Sequence, residues 1–504
     1  MESLVFRLRS FDFTIQVIVA VLFGVFLGVI SFVLPPMITL FLIIGVPVCL
    51  IAIQKPEIAI LAILTMLCTI IPDTSIPRIN IGVGKWYLTD IILIVLIAMI
   101  IIRWLIDRQF RLAQNPMGIS VLTFWMWAMF TTIIALIQRN VDSVYAIPEM
   151  RSVAYYLMFF VVANLVFQER GLHFLVNGLF FLATIVSAMM IAQFIVGDAV
   201  PILPGRVETL ATEDVMYAGI TRIMDTVGEG LITVAFITKT AVVFIRRFQF
   251  RRFADIFQWA IMGIAVILTF SRTHWLVTGL AMLMTFFLIR QQDRISLIKW
   301  VLILFFFLPI IIVPILVSPE SIVSKLVIAA VERAVSLNPE NVITPSSTNT
   351  FRWRDFEYIY GLPQVAAHPF MGLGLGAKYR PEVYSIDDEA KNTQHYTHNS
   401  HLWVAMKTGL IGYALLLLMS FTFIWRGFSY WSRIYDPYMS GIALGFALAY
   451  LSAFIAGLIH PIFVTLFWTP ILGTMMGINE VIYRIYKPGE FVPPPPAEIP
   501  SVID

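Results

Sequence analysis

The chain has 504 residues, 59% of them hydrophobic and 13% charged, with a net charge of +3. Soluble globular chains carry about 25% charged residues; half that, with 40 phenylalanines and 12 tryptophans, makes lipid the main solvent and excludes an ordinary soluble domain. So small a net charge gives no case for a nucleic-acid partner, and Cys49 and Cys68, each inside an apolar run, support neither a disulfide framework nor a zinc site.

A membrane span takes about 20 mainly apolar residues. Along the chain this predicts Phe13–Leu34, Met37–Ile53, Ile58–Ile71, Leu88–Ile102, Met117–Ile137, Val153–Phe167, Phe174–Val196, Leu231–Ile245, Ile256–Phe270, Trp275–Ile289 and Trp300–Val317, then Leu402–Trp425, Met439–Ile459 and Ile462–Ile482. The total is about 14 spans. The first run is long and is followed by no small-residue cleavage pattern, so it reads as a helix rather than a removable signal. With Arg7 and Arg9 placed inside, every inner connection is basic: Lys55; Arg103, Arg108 and Arg111; Arg170; Arg246 to Arg252; Arg290 to Lys299; Arg426 and Arg433; Arg484 and Lys487. The positive-inside rule then predicts both termini in the cytoplasm.

The expected fold is an all-α polytopic membrane protein. Residues 1–317 form a bundle of about 11 spans, 318–401 one large extracytoplasmic loop, 402–482 the last three spans, and 483–504 a proline-rich tail. Within the loop, Ser321–Leu337 has apolar spacing suited to a helix on the membrane surface, and Asn349–Tyr360 reads as a second amphipathic helix broken by "HPFMGLGLG".

On this topology six of the seven histidines face outward, and three of them, His395, His398 and His401, crowd the start of one span. Arg222, Arg272, Arg352 and Arg354 fall on the same side. Guanidinium forks hold phosphate oxygens through paired hydrogen bonds, and a neutral imidazole accepts a proton near pH 7. A polyprenyl-linked sugar diphosphate, with its tail in the bilayer and its phosphates at the headgroups, suits that combination.

"HNSHLWVAMKTGLIG" places His398 and Asn399 nine residues ahead of Gly409-x-x-Gly412, and "RDFEYIYGLPQVAAHPFMGLGLG" leads from Arg354 to His-Pro-x-x-Gly-x-Gly. With Ser271–Arg272 in "LTFSRTHWL", these segments resemble the O-antigen ligase and O-antigen polymerase superfamily. The resemblance implies a metal-independent inverting glycosyltransferase of the bacterial inner membrane, with no cofactor. It would move a glycan from undecaprenyl diphosphate to an acceptor hydroxyl on the extracytoplasmic face. His398 would act on the acceptor; Arg354, Arg272 and Arg222 would handle the diphosphate, with Arg352 a helper. Asn399, Gly409 and Gly412 complete the motif. Partners are the lipid-linked donor, a glycan, lipid or protein acceptor, and membrane lipid. Ligase and polymerase differ in the acceptor, which these residues leave open.

Other readings compete. The three histidines at i, i+3 and i+6 could hold a metal, but no HExxH motif or nearby cysteine accompanies them. Gly372, Gly374 and Gly376 suit a tight turn at the membrane edge better than a phosphate loop, since no strand precedes them and the lysine is missing. Lys239 lies about 9 Å from the inner end of its span, close enough to snorkel. Lys407 could face a watery cavity or reach headgroups, and Asp90 and Tyr155 could line a cavity. A lipid-linked oligosaccharide flippase is the alternative function, although the chain shows no paired halves.

Overall fold

The computed structural model describes residues 53–72, 75–81, 84–107, 110, 112, 115–197, 200, 202–203, 206–209, 221–224, 227–246, 253–291, 294–295, 298–299, 302, 324, 348–381 and 394–487. The expected spans Phe13–Leu34, Met37–Ile53 and Trp300–Val317, the helix Ser321–Leu337 and the tail lie wholly or almost wholly outside them.

The described chain is mostly helical. In order come α1 (Pro56–Cys68), the hairpin β1 (Arg78–Ile81) and β2 (Gly84–Tyr87), α2 (Leu88–Ile106), α3 (Pro116–Gln138), α4 (Ser143–Ala154), a 3₁₀ turn at Tyr155–Leu157, α5 (Met158–Leu165) and α6 (Glu169–Val196). A second hairpin, β3 (Arg206–Thr209) with β4 (Thr221–Met224), precedes α7 (Glu229–Ile245), α8 (Phe253–Leu268) and α9 (Arg272–Leu288). Then follow α10 (Thr348–Ala367), α11 (Ser400–Tyr430), α12 (Pro437–Ala456) and α13 (Thr469–Tyr486). Six helical stretches among the described residues are long and apolar enough to cross a membrane.

Three expectations change. The fold is not purely α: the hairpins pair Arg78 with Tyr87 and Arg206 with Met224. The first is an alternating "RINIGVGKWY" whose glycines permit a tight return. The span expected at Val153–Phe167 is a 23-residue helical unit beginning at Ser143, because its polar first turns, with Glu149 and Arg151, are screened by protein instead of lipid. The last span starts at Thr469 rather than Ile462, because residues 457–468 form a run of turns and Pro470 opens α13.

Capping fixes the helix starts. Asn115 accepts from the Gly118 N–H at 2.7 Å, Asp142 from Val144 at 2.9 Å and Asp436 from Met439 at 2.7 Å. Lipid supplies no hydrophobic drive between helices, so close backbone approach does the packing. A Cβ on Gly441 or Gly445 of α12 would lie 2.7 or 2.5 Å from the Cα of Val242 or Thr238 on α7. Every residue of α7 from Gly230 to Phe244 is buried.

Helix α11 is broken. Gly409 sits at φ 73° and ψ 177°, and every residue from Ser400 to Gly409 is buried. Past the break the helix presents an exposed stripe with Leu410, Leu418, Phe421 and Trp425. The break releases carbonyls from the helical ladder, and neighbouring segments satisfy them. Leu373 N–H donates to Met406 O at 2.9 Å, Gly374 N–H to Lys407 O at 2.8 Å and Trp127 Nε1 to Thr408 O at 2.9 Å; Leu410 N–H donates to Pro369 O at 2.7 Å. The glycine turn 372–376 therefore plugs the kink, with positive φ at Gly372, Gly374 and Gly376.

Lys407 is turned into protein, its side chain 0% exposed. It pairs with Glu149 at 3.5 Å and donates to Ala377 O, while Glu149 accepts from Gly376 N–H at 2.5 Å. Lys239 reaches Asp255 at 2.6 Å and Gln258 at 3.2 Å. Tyr155 donates to Asp90, which pairs with Arg151 at 3.0 Å, so these two also pin helices together.

Candidate functional site

The junction of the turn region with α11 brings two sequence neighbours, Thr397 and His398, onto one carboxylate. Glu357 lies on α10, its side chain 2% exposed. It accepts from Thr397 Oγ1 at 2.8 Å and from the His398 backbone N–H at 3.0 Å, and its Oε1 lies 2.7 Å from His398 Nδ1. A carboxylate only accepts, so Nδ1 carries the ring proton and the lone pair of the neutral ring sits on Nε2. The His398 side chain is 28% exposed. The result is a buried carboxylate orienting a half-open imidazole, the arrangement that positions a general base.

The surroundings keep this pair in place. The Tyr396 ring stands edge-on to His398 with centroids 4.9 Å apart. Burial, and then the nearby Glu357, hold the Tyr396 hydroxyl far above its ordinary titration range, so it stays neutral. Asn399 caps α11: its side-chain oxygen accepts from Leu402 N–H at 3.0 Å, and its amide donates to Tyr358 Oη at 2.6 Å. Asn399 is 6% exposed, so it holds the junction through both ends of its amide.

The three clustered histidines part company. His395 stacks on Tyr145 with centroids 4.0 Å apart, and burial, followed by the Lys407 charge, pushes its imidazole down to about 4. His401 places Nε2 2.9 Å from Phe454 O among the rings of Phe454, Phe463 and Tyr413. Among the described residues no three His, Cys, Asp or Glu side chains form a metal-holding group.

The arginines fall on two sides of this junction. Arg354 lies on α10, three residues and so about one helical turn before Glu357. Arg352 is on the same helix; the side chains of both lie outside the described residues. Arg272 is the first residue of α9 behind Ser271. Arg222 lies on β4 with its Cα opposite Glu208, and its side chain too lies outside the described residues. Gly409 and Gly412 shape the helix: a Cβ on Gly409 would come 2.2 Å from Phe370 O, and one on Gly412 3.0 Å from the Trp127 ring.

The turns 457–468 bind the Arg272 side to the His398 side. Ser400 donates through its N–H to Gly457 O at 2.8 Å and through its hydroxyl to His460 O at 2.6 Å, and Tyr156 Oη donates to Phe463 O at 3.0 Å. The His460 ring lies 5.4 Å from that of His274, two residues beyond Arg272.

Sequence reasoning passed over Glu357 and Thr397. The signal was present: an imidazole acting as a base needs an orienting acceptor, and "RDFEYIY" offers one a turn beyond Arg354.

Residues 259–417 match the family model described as O-antigen ligase. The match runs from within α8 into α11 and includes Arg272, Arg352, Arg354, His398, Asn399, Gly409 and Gly412. It supports the O-antigen ligase and polymerase superfamily that the motifs resemble. Arg222 lies ahead of it. No curated protein matches the chain.

Proposed function

We propose that this membrane protein, which carries an O-antigen ligase match, transfers a glycan from a polyprenyl-diphosphate carrier to an acceptor hydroxyl at the extracytoplasmic face of the bacterial inner membrane. The observation that carries the proposal is the Glu357–His398 pair, 2.7 Å apart at the mouth of α11.

His398 Nε2 takes the proton of the acceptor hydroxyl as its oxygen attacks the anomeric carbon. The bond from that carbon to the diphosphate oxygen breaks, and the carrier diphosphate leaves with the electron pair. Attack opposite the leaving group inverts the anomeric centre. Glu357 stabilises the imidazolium that forms and holds the ring's orientation. Arg222, Arg272 and Arg354 offset the charge that develops on the diphosphate, which gives a metal-independent reaction. Acceptors of both kinds, a lipid core or protein hydroxyl and a second lipid-linked repeat, fit this chemistry.

The test is transfer by His398→Ala in purified membranes, with and without EDTA. Transfer falls by about 10²–10⁴-fold, the range for losing a general base, while the wild type is indifferent to EDTA. Near-normal transfer by the variant defeats the assignment.

A further inference from the structure

A second carboxylate–imidazole pair lies outside the one just described. Glu229, the first residue of α7, places Oε1 2.8 Å from His274 Nε2, with side chains 12% and 2% exposed. The other ring nitrogen lies 3.2 Å from Thr233 Oγ1, one turn along α7, and that hydroxyl donates to Glu229 O at 2.9 Å. The ring thus faces two groups of one helix while riding on another. Trp468 covers the pair: its ring is stacked 6.5 Å from His274, and a Cβ on Gly230 would lie 2.8 Å from it. A pair so placed acts on what it holds.

What it holds is the head of α9, where Arg272 lies, against the start of α7. Arg222 lies seven residues before Glu229, on β4, and Arg272 lies two residues before His274, at the head of α9. Nothing in the chain order keeps these segments together, since α7 and α8 intervene. The Glu229–His274 contact crosses from α7 to α9. Through His460 and Ser400 the same cluster also abuts the start of α11.

We infer that Glu229 and His274 form a clamp that fixes Arg272, at the head of α9, for a diphosphate and registers it against His398. The inference rests on the proposed diphosphate role of that arginine. Glu229 and His274 are positioning residues: they act on the affinity for the charged headgroup and not on the chemical step.

The test measures farnesyl diphosphate binding to the full chain in detergent, with farnesol as the uncharged control, for the wild type, Glu229→Gln, His274→Gln and the double variant. Each single variant is expected to bind the diphosphate about tenfold more weakly. The double variant is expected to be no weaker than the worse single, since both changes break one unit, and farnesol binding should stay unchanged. A role in stability alone would weaken farnesol equally. Glu229→Gln keeps the residue's size and an acceptor oxygen, so it remains measurable where His274→Gln does not fold. Diphosphate binding within twofold of wild type by Glu229→Gln, or equal loss for farnesol, overturns the clamp. A wild type that binds farnesol and farnesyl diphosphate alike overturns the diphosphate reading itself.

Discussion

The two ends of the bundle handle buried carboxylates in opposite ways. At the end away from α10, Glu480 receives Arg426 through Nε at 3.0 Å and Nη2 at 2.9 Å, and Asn115 Nδ2 at 2.8 Å. Arg484 there donates to Ala163 O at 2.6 Å and to Val166 O. These charges join α3, α5, α11 and α13, and every strong donor is spent on another helix. At the α10 end Glu357 is also buried, yet it spends its acceptors on a single junction and on the imidazole of His398. Charge at one end is fastening; at the other it is orientation. The difference shows in what each carboxylate touches, since burial alone does not separate them.

Glu357→Gln against Glu480→Gln is the strongest way to break that comparison. The first change should lower the turnover of folded protein about a hundredfold or more, because an imidazole with the wrong proton placement is a poor base, and should barely move the melting temperature. The second should leave turnover per folded molecule intact and cost about 3–5 kcal/mol of stability, the usual result of stripping one partner from a buried ion pair. Thermal melting and single-turnover transfer on the same preparations separate them, and identical profiles would erase the distinction.

Gly409→Ala probes the connection between the ends, with a smaller effect. The positive φ costs about 1–3 kcal/mol for a residue with a side chain, and the new methyl group meets Phe370 O. Melting temperature and transfer should fall together, because the glycine turn and the His398 junction share α11. A drop in one without the other would show that the kink and the junction are uncoupled.

The smallest effect concerns pH. His395 is held near 4 when folded, against an ordinary 6.5. The open chain therefore takes up the proton first, so docking of this segment weakens as pH falls from 6.5 towards 4 and is fully present above that window. The protection of the Gly376–Tyr379 amides, their exchange rate relative to the intrinsic rate at each pH, should fall over that range, and His395→Gln should flatten the response.

Much of the bundle could be read from hydropathy, because lipid imposes long apolar runs that few other constraints mimic. The boundary at Ser143 moved because protein takes the place of lipid there. Glu149 and Arg151 made Ser143–Ala154 look too polar to enter the membrane, yet Lys407 and Asp90 meet them there. His398 and Asn399 were legible because the motif fixes them beside a helix start. Glu357 was not, for its partner lies 41 residues away in the chain and only folding joins them. The same holds for Glu229 and His274. Gly409 and Gly412 stood out as punctuation, but their reason, a turn inserted into a broken helix, needs coordinates to see.

The break in α11 also acts as a ruler. All 31 residues of the helix would measure about 46 Å at the α-helical rise, well beyond the roughly 30 Å of a hydrocarbon core. Leu410–Tyr430 alone is about as long as that core is thick, and it is the part with a greasy outer stripe. Ser400–Thr408 is then a shielded post about 14 Å tall, built on the kink and carrying the His398 ring at its tip. Lengthening or shortening that post would raise or lower the His398 ring relative to the lipid surface without altering either residue of its pair with Glu357.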